Sequence, residues 1–512
     1  MTKSFDYLSL QNGSDIRGIA LEGVIGEEVN LTTERSYLIA RSFARWLKKH
    51  LSLESKALRV SIGSDPRLSG PSLKQALVDG LSNSGCQVLD FGLASTPAMF
   101  MSTIDDTTHC DGAIMLTASH LPYNRNGMKF FTKNGGLNKA DIWDILSGIG
   151  TGGSREFPIS SGQAGVGECE EIDFMGRYSD YLVDFIRRNV NNQIDYNHPL
   201  AGQKIVVDAG NGAGGFFASR ILEPLGADIS GSQFLEPDGH FPNHSPNPED
   251  SVAMKAVRDR VMEEKADLGI IFDTDVDRAA IVDATGSEIN RNRLIGLISA
   301  IILEEHPGSW VVTDSITSDG LNTFIRQDLK GNHHRFKRGY KNVINEAIRL
   351  NDIGKPSWLA IETSGHAALK ENYFLDDGAF LIAKILVKFA QLRMTSGRTI
   401  GSLLDKLEEA AESKEYRINI QTDDFRILGE KVIADLKLLA EKTPGWSLTV
   451  PNHEGIRVSC NKENGSGWFL LRLSLHDPVL PLNIESEISG GVEKIFAKLS
   501  AFLSKYPELY FT

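Results

Sequence analysis

Cysteine is scarce in this 512-residue chain: four residues, Cys86, Cys110, Cys169 and Cys460, stand far apart and form no C-x-x-C pair. At this size that spacing favours free thiols in a reducing compartment over a disulfide frame or a zinc site. Long apolar runs are missing too. No stretch reaches the ~18 uninterrupted apolar residues of a membrane span, and the longest candidate, Leu294 to Leu303, reads as a buried helix. Positive charge is in deficit, 54 Lys+Arg against 67 Asp+Glu for a net −13. That is the wrong sign for a nucleic-acid backbone binder, although a phosphorylated small substrate needs only a local cluster of cations. Met1 to Leu10 holds no cationic stretch followed by an apolar one, so no secretory signal is expected. Low-complexity tracts are absent, and 41% hydrophobic with 24% charged residues excludes a disordered or fibrous chain. The expectation is a soluble, intracellular protein of three or four domains at ~150 residues each, without nucleic-acid or membrane partners. Its expected location is cytoplasmic, or an organellar stroma should a transit peptide belong to it.

What is present is a recurrent pattern. Strand-like apolar runs alternate with amphipathic helical stretches to about residue 390, as in α/β units with largely parallel sheets. Three times a short strand enters an Asp-bearing loop: Arg59 to Asp65, Lys204 to Asp208 and Trp310 to Asp314. Each time, further along the chain, a second apolar strand ends in polar groups. These are Gly112 to Leu116 before Thr117-Ala118-Ser119-His120, Leu268 to Phe272 before Asp273, and Trp358 to Ile361 before Glu362-Thr363-Ser364-Gly365-His366. Three such exits predict three related α/β domains with mixed, largely parallel sheets, each presenting a loop where open sheets place ligands. The tail differs. Strands are predicted at Glu415 to Ile420, Gly455 to Ser459, Trp468 to Ser474 and Pro478 to Ile484, with a helix over Glu485 to Tyr506: an α+β domain. Thr151 to Gly167, rich in Gly and Ser, reads as a linker or exposed loop. The domains are drawn at 1–165 (serine loop), 166–300 (aspartate loop), 301–398 (the Glu362 loop) and 399–512 (tail).

The strand exits carry chemistry. Asp273, Asp275 and Asp277 alternate after a buried strand, so in extended backbone their carboxylates point the same way. A hard divalent cation relieves their repulsion, and oxygen-only ligation selects Mg²⁺ over zinc or copper. An EF-hand is disfavoured, with Arg278 at the glycine position and Ala284 at the final glutamate position. The competing readings are a solvated acidic turn and a phosphatase of the haloacid dehalogenase type, whose D-x-D also follows a strand. Ser119 lacks a G-x-S-x-G setting, so acyl transfer is disfavoured. With His120 beside it and Lys129 reachable through the Asn126-Gly127 turn, its hydroxyl suits phosphate chemistry; the alternative is an ordinary turn serine. Glu362 and Ser364 can hold adjacent sugar hydroxyls, or Thr363 and Ser364 can cap a helix. Arg472 and Ser474, alternating on the tail strand, can grip a phosphate or be an exposed strand face.

Together these segments resemble the α-D-phosphohexomutase superfamily of phosphoglucomutases and phosphomannomutases over nearly the whole chain. Asp15-Ile16-Arg17-Gly18 is similar to the family's first motif. Thr117-Ala118-Ser119-His120-Leu121-Pro122, continuing through Asn126-Gly127-Met128-Lys129, resembles its phosphoserine loop, and Glu236-Pro237-Asp238-Gly239 with Phe241-Pro242-Asn243-His244 a further signature. Asp273-Thr274-Asp275-Val276-Asp277-Arg278 is similar to the metal loop D-G-D-G-D-R, and Glu362-Thr363-Ser364-Gly365-His366 to the sugar loop. The chain departs from the pattern in several places. Thr274 and Val276 replace both metal-loop glycines, Leu121 an Asn, and Ile361 the Gly before the sugar-loop Glu. Lys337-Arg338-Gly339-Tyr340 lacks the His of K-x-G-H. Arg472-Leu473-Ser474-Leu475-His476-Asp477-Pro478 lacks the Asn and Thr of the family's tail loop, with His476 as a partial substitute.

The resemblance implies three α/β domains and an α+β tail around a central cleft, with the tail hinged. It implies a phosphosugar substrate and an isomerase that interconverts hexose 1-phosphate and hexose 6-phosphate, of glucose or mannose, through phosphorylated Ser119. A hexose 1,6-bisphosphate would serve as intermediate and activator. The metal it implies is Mg²⁺, held on Asp273, Asp275, Asp277 and the Ser119 oxygen. Arg17 and Arg278 would stabilise the transferring oxygens, and Lys129 and His120 would move the sugar-hydroxyl proton. Glu362, Ser364, His366, Lys337, Arg338, Tyr340, Arg472, Ser474 and His476 would bind substrate. The alternatives are a phosphoglucosamine mutase and a catalytically weak sugar-phosphate-binding paralogue.

Overall fold

The structure is a computed structural model that describes residues 5–52, 57–149, 168–422, 424–474 and 477–511. The segment expected as a linker, Thr151 to Gly167, and the position His476 lie outside these residues. The chain divides into two compact units, residues 1–291 with 364–402, and residues 292–363 with 403–512.

The first unit holds two α/β sheets. In one, the strands run in the order Asp15–Ile19, Arg125–Thr132, Gly112–Leu116, Arg59–Ser64, Gln87–Leu93. Arg59–Ser64 pairs in parallel with both Gly112–Leu116 and Gln87–Leu93. Such strands are covered on both faces, which is why Val60, Ile62 and Ile114 form continuous buried runs. Arg125–Thr132 runs antiparallel to Gly112–Leu116 with Lys129 opposite Met115, and places Gly127 opposite Arg17. A side chain at Gly127 would lie 2.3 Å from the Ile16 carbonyl, so glycine is required for the strands to close here. The helix Thr33–Leu51 covers this sheet. Thr32 caps its start by accepting from the Arg35 amide at 3.3 Å, and Ile39, Phe43 and Leu47 line its buried face at helical spacing. Truncating Phe43 to Ala would cost roughly 3–5 kcal/mol.

The second sheet pairs Ile205–Asp208 in parallel with Leu268–Phe272, which turns back as the antiparallel strand Ala279–Asp283. The aspartate loop therefore closes a hairpin, Phe272 facing Ala279. The same unit holds the short hairpin of Ala367–Leu369 and Leu375–Asp376 and the helix Gly378–Thr395.

The second unit holds Asn332–Arg335, Trp310–Thr313 and Ser357–Ile361, all parallel. Leu294 to Leu303 is buried, as expected, within the helix Arg291–Glu305. The tail is the expected α+β arrangement. Its antiparallel sheet runs in the order Trp446–Leu448, Ile456–Cys460, Gly467–Leu471, Val479–Ser486, Glu412–Ile420, Leu509–Phe511. The helices Phe425–Lys442 and Gly491–Leu503 pack Val432, Leu436, Ile495 and Leu499 into its core.

Two tail boundaries differ from expectation. Glu485 and Ser486 still belong to a strand, and Gly490 at φ +76° breaks the chain before the helix starts at Gly491. The strand expected through Ser474 ends at Leu471. Arg472 donates to the Pro481 carbonyl at 3.1 Å, but proline has no N–H to return, so the ladder loses its reciprocal bond there. Arg472 and Ser474 thus lie beyond the strand, not on its face. Among the described residues no helix is long and apolar enough to cross a membrane.

Candidate active site

Ser119 follows the buried strand Gly112–Leu116. Its amide donates to Thr117 Oγ1 at 2.8 Å, and the backbone takes φ +50°, a left-handed conformation that costs a non-glycine residue about 1–2 kcal/mol. Ser119 is 4% exposed, and its hydroxyl donates to Asp273 Oδ2 at 2.9 Å. Arg278 Nη2 donates to Ser119 Oγ at 3.1 Å and to His120 Nδ1 at 2.8 Å. A serine and an aspartate far apart in sequence are brought together across the two sheets of the first unit.

The three aspartates converge, with carboxylate oxygens mutually within 4.8 Å, and all are fully buried. The reason is not extended backbone. The loop is a tight turn, the Val276 amide donating to the Asp273 carbonyl at 3.3 Å and the Asp273 amide to the Arg278 carbonyl at 3.2 Å. Gly378 donates to the Val276 carbonyl at 3.1 Å, and Val276 sits at φ +66° where the resembling family has glycine. Arg278, buried, donates to both Asp273 oxygens, at 3.2 Å from its amide and 3.1 Å from Nε, and to Asn247 Oδ1 at 3.0 Å. Thr96 Oγ1 donates to Asp275 Oδ2 at 2.5 Å. Lys129 Nζ pairs with Asp277 Oδ2 and lies 3.3 Å from Asp275 Oδ2.

The electrostatics follow from burial and these pairs. Burial and the nearby Asp277 raise Asp273 well above the usual carboxylate range despite Arg278. Burial would raise Asp277 as well, but Lys129, His366 and Arg278 outweigh it and hold it low. His120 is pushed down to about 3 by burial and then by Arg278 and Arg17, so it is neutral. Since Arg278 can only donate, His120 Nδ1 is an acceptor and its proton sits on Nε2. Burial opposes protonation of His366. Its partners Asp376, 2.6 Å from Nδ1, and Asp277 overcome this and lift it to about 9.

Whether the loop suits a cation is decided by its leftover oxygens. Asp275 Oδ1 and Asp277 Oδ1 are buried with no hydrogen-bond partner among the described residues. Buried acceptors of that kind are costly to leave unmatched. An all-oxygen donor set with two orphaned carboxylate oxygens and a serine hydroxyl alongside fits a hard divalent cation.

Of the other expected residues, Arg17 lies in the first unit, donating to the Thr117 carbonyl at 3.2 Å and to Asp15 Oδ2 at 2.9 Å. Ser364 is buried in that unit, which also holds the half-buried His366. The remainder belong to the second unit. Glu362 accepts from the Gly339 amide at 2.6 Å, and Arg338 donates from its amide to Glu454 Oε2 at 3.3 Å. Thr363 Oγ1 donates to Asp314 Oδ2 at 2.7 Å, and Tyr340 begins the helix Tyr340–Asp352 behind an exposed Lys337. Arg472 Nε is buried without a hydrogen-bond partner among the described residues, while the Ser474 amide donates to the Val479 carbonyl at 2.9 Å.

The sequence reading missed Thr96, Asn247, Asp376 and Glu454. It also missed Arg67, which anchors the serine loop. Only Arg67 left a sequence signal, since it follows the Asp65 that ends the first strand of the repeated pattern. Thr96, Asn247 and Asp376 meet Asp275, Arg278 and His366 within the first unit, and Glu454 meets Arg338 within the second, through folding alone.

Three family profiles match the chain: Phosphoglucomutase/phosphomannomutase, alpha/beta/alpha domain I at residues 9–149, domain II at 178–286 and domain III at 290–410. A phosphomannomutase/phosphoglucomutase of Pseudomonas syringae pv. tomato is 31% identical over 493 residues, covering 96% of this chain and 94% of that protein. One from Pseudomonas aeruginosa is 30% identical, covering 94% of each. Among solved structures, a phosphoglucomutase/phosphomannomutase family protein of Burkholderia thailandensis superposes with a TM-score of 0.77 at 27% identity, covering 98% of this chain and 99% of its own.

Proposed function

We propose that this chain, which belongs to the phosphoglucomutase/phosphomannomutase family of the α-D-phosphohexomutase superfamily, interconverts hexose 1-phosphate and hexose 6-phosphate through a phosphorylated Ser119. The chain is an isomerase of the phosphotransferase type. The observation that carries the finer reading is Ser119 Oγ held between Asp273 Oδ2 at 2.9 Å and Arg278 Nη2 at 3.1 Å. An acyl-transfer serine needs a base; this one is set among charges that suit a phosphoryl group.

In the forward step the P–O bond to Ser119 breaks and a P–O bond to the free sugar hydroxyl forms, giving hexose 1,6-bisphosphate and the serine alkoxide. The hydroxyl proton passes to the serine oxygen by way of a neighbouring base. The bisphosphate turns over and returns its other phosphoryl group by the same exchange. Arg278 and Arg17 stabilise the equatorial oxygens in transit. Lys129 is held as an ammonium between Asp275 and Asp277. His120 has its Nδ1 lone pair occupied by Arg278, so it exchanges protons only through Nε2. His366, kept protonated by Asp376, adds a further cation. Asp273, Asp275, Asp277 and Ser119 Oγ would hold Mg²⁺, which when bound offsets charge on the transferring oxygens.

Glu362, Ser364, His366, Lys337, Arg338, Tyr340, Arg472, Ser474 and His476 are assigned to the phosphosugar. The four-part division at residues 165, 300 and 398 and a cytoplasmic location belong to the same proposal. Relatives named phosphoglucomutase in Neisseria gonorrhoeae and phosphomannomutase in Escherichia coli support both glucose and mannose phosphates as substrates. The test is conversion of glucose 1-phosphate with catalytic glucose 1,6-bisphosphate by wild type and Ser119→Ala. Turnover is expected in wild type alone; equal rates would reject the phosphoserine.

A further inference from the structure

We propose that Arg67 is a positioning residue that sets the reactive geometry of Ser119 by clamping the carbonyls of its loop. The inference rests on the phosphoserine reading above and deepens it. Arg67 is 1% exposed and makes no contact that the mechanism uses. Its Nη2 donates to the carbonyls of Ser119 and, at 2.6 Å, Leu121. Its Nη1 donates to the carbonyls of Pro122 at 2.7 Å and Arg125 at 2.9 Å. Nε and the main-chain amide both reach Asp65, at 3.2 and 3.1 Å.

Carbonyls converging from one loop repel, and only a planar guanidinium presents enough donors in a fixed fork to hold them together. The consequence falls on Ser119. Thr117 takes its amide and Arg67 its carbonyl, so the left-handed backbone is pinned from both sides. Rotation about χ1 is then the main freedom left, and it is spent on Asp273 and Arg278.

The clamp is braced by the irregular segment that carries Gly239, Phe241 and Asn247. A side chain at Gly239 would stand 2.4 Å from the Pro66 carbonyl and 2.7 Å from the Leu68 amide, so this segment lies directly on the Arg67 turn. Phe241 places its ring 5.3 Å from the guanidinium. Farther along the same segment, Asn247 accepts from Arg278. One stretch of chain therefore steadies both the arginine behind Ser119 and the arginine in front of it.

Because Asp65 neutralises Arg67 inside the protein, the clamp adds no net charge for a phosphate to feel. Its loss should change the rate of transfer and leave substrate affinity alone. In Arg67→Lys the ammonium offers fewer donors and no fork. The expected result is a kcat lower by about 10- to 100-fold, as for small misplacements of reacting groups, with KM unchanged. Deuterium exchange should rise in 119–125 while the strand Gly112–Leu116 stays protected. Gly239→Ala, which displaces the Arg67 main chain with every charge kept, should give the same split more weakly.

Wild-type kcat in Arg67→Lys, a KM rise with kcat intact, or unchanged exchange in 119–125 would each overturn the proposal. If Arg67→Lys does not fold, Gly239→Ala decides: wild-type kinetics there would overturn it equally. Failure of the mutase reading is told apart by wild type itself, which would then show no turnover, whereas the exchange measurement still judges the clamp.

Discussion

Lys129 compensates the aspartate loop together with Arg278 and His366, its ammonium meeting Oδ2 of both Asp277 and Asp275 while their Oδ1 atoms stay unmatched. Removing one partner of a buried pair costs roughly 3–5 kcal/mol, because the other charge is left buried. Lys129→Met is therefore expected to melt well below wild type in chelator, and millimolar Mg²⁺ should restore part of the difference. A variant that melts with wild type in chelator would take Lys129 out of this role. Val276 poses a finer contest. Glycine at its φ of +66° would relieve about 1–2 kcal/mol of strain. It would also lose a fully buried side chain worth roughly 1.5–3 kcal/mol and add about 0.5–1 kcal/mol of chain entropy. Burial wins, so Val276→Gly should lower the melting temperature although it restores the glycine of the resembling motif. Ser119 and the aspartates were legible as residues because each follows an apolar strand into polar groups. Asn247 and Thr96 were not, since nothing local distinguishes an asparagine or threonine that folding carries to a charged loop.

At the scale of elements, the repeated Asp-ended strand is a structural device. Asp65, Asp208 and Asp314 are all buried where their strands stop, and each ties down a neighbouring loop: through Arg67, through His244, and through Thr363. The Asp208–His244 pair, 3.0 Å long, holds the segment that braces both arginines. Burial works against protonation of His244, but its hydrogen bond to Asp208 and that carboxylate's charge prevail, so the histidine titrates above its ordinary 6.5. A raised histidine stabilises fully below the ordinary value and loses that contribution as pH rises through the elevated one. Wild type should thus lose melting temperature from about neutral pH upward more steeply than His244→Gln, as read by thermal unfolding across that window; parallel curves would refute it. The strands themselves were readable from apolar runs, often to the residue, as at Gly112–Leu116 and Leu268–Phe272. The tail strand was overextended because Leu471-Arg472-Leu473-Ser474 keeps the alternation of a strand, while the break comes from Pro481 on its neighbour.

For the molecule as a whole, the aspartates lie entirely within one of the two compact units, residues 1–291 with 364–402. Mg²⁺ is expected to slow deuterium exchange around 273–278 and in the serine loop and to leave the parallel strands at 310–361 unchanged; protection spread evenly over the chain would contradict a local site. The net charge of −13 is compatible with an anionic substrate because Arg17, Lys129, Arg278 and protonated His366 gather in that one unit. The order of motifs, the strand exits and the separate character of the tail were determined by sequence alone, since burial periodicity and turn chemistry act over a few residues. Only the tertiary structure decided that Ser119 meets Asp273, that a turn rather than extended backbone converges the carboxylates, and that Arg67 holds the serine loop and Asn247 holds Arg278. Those contacts join residues distant along the chain, and no local pattern records a hydrogen bond whose partner is chosen by packing.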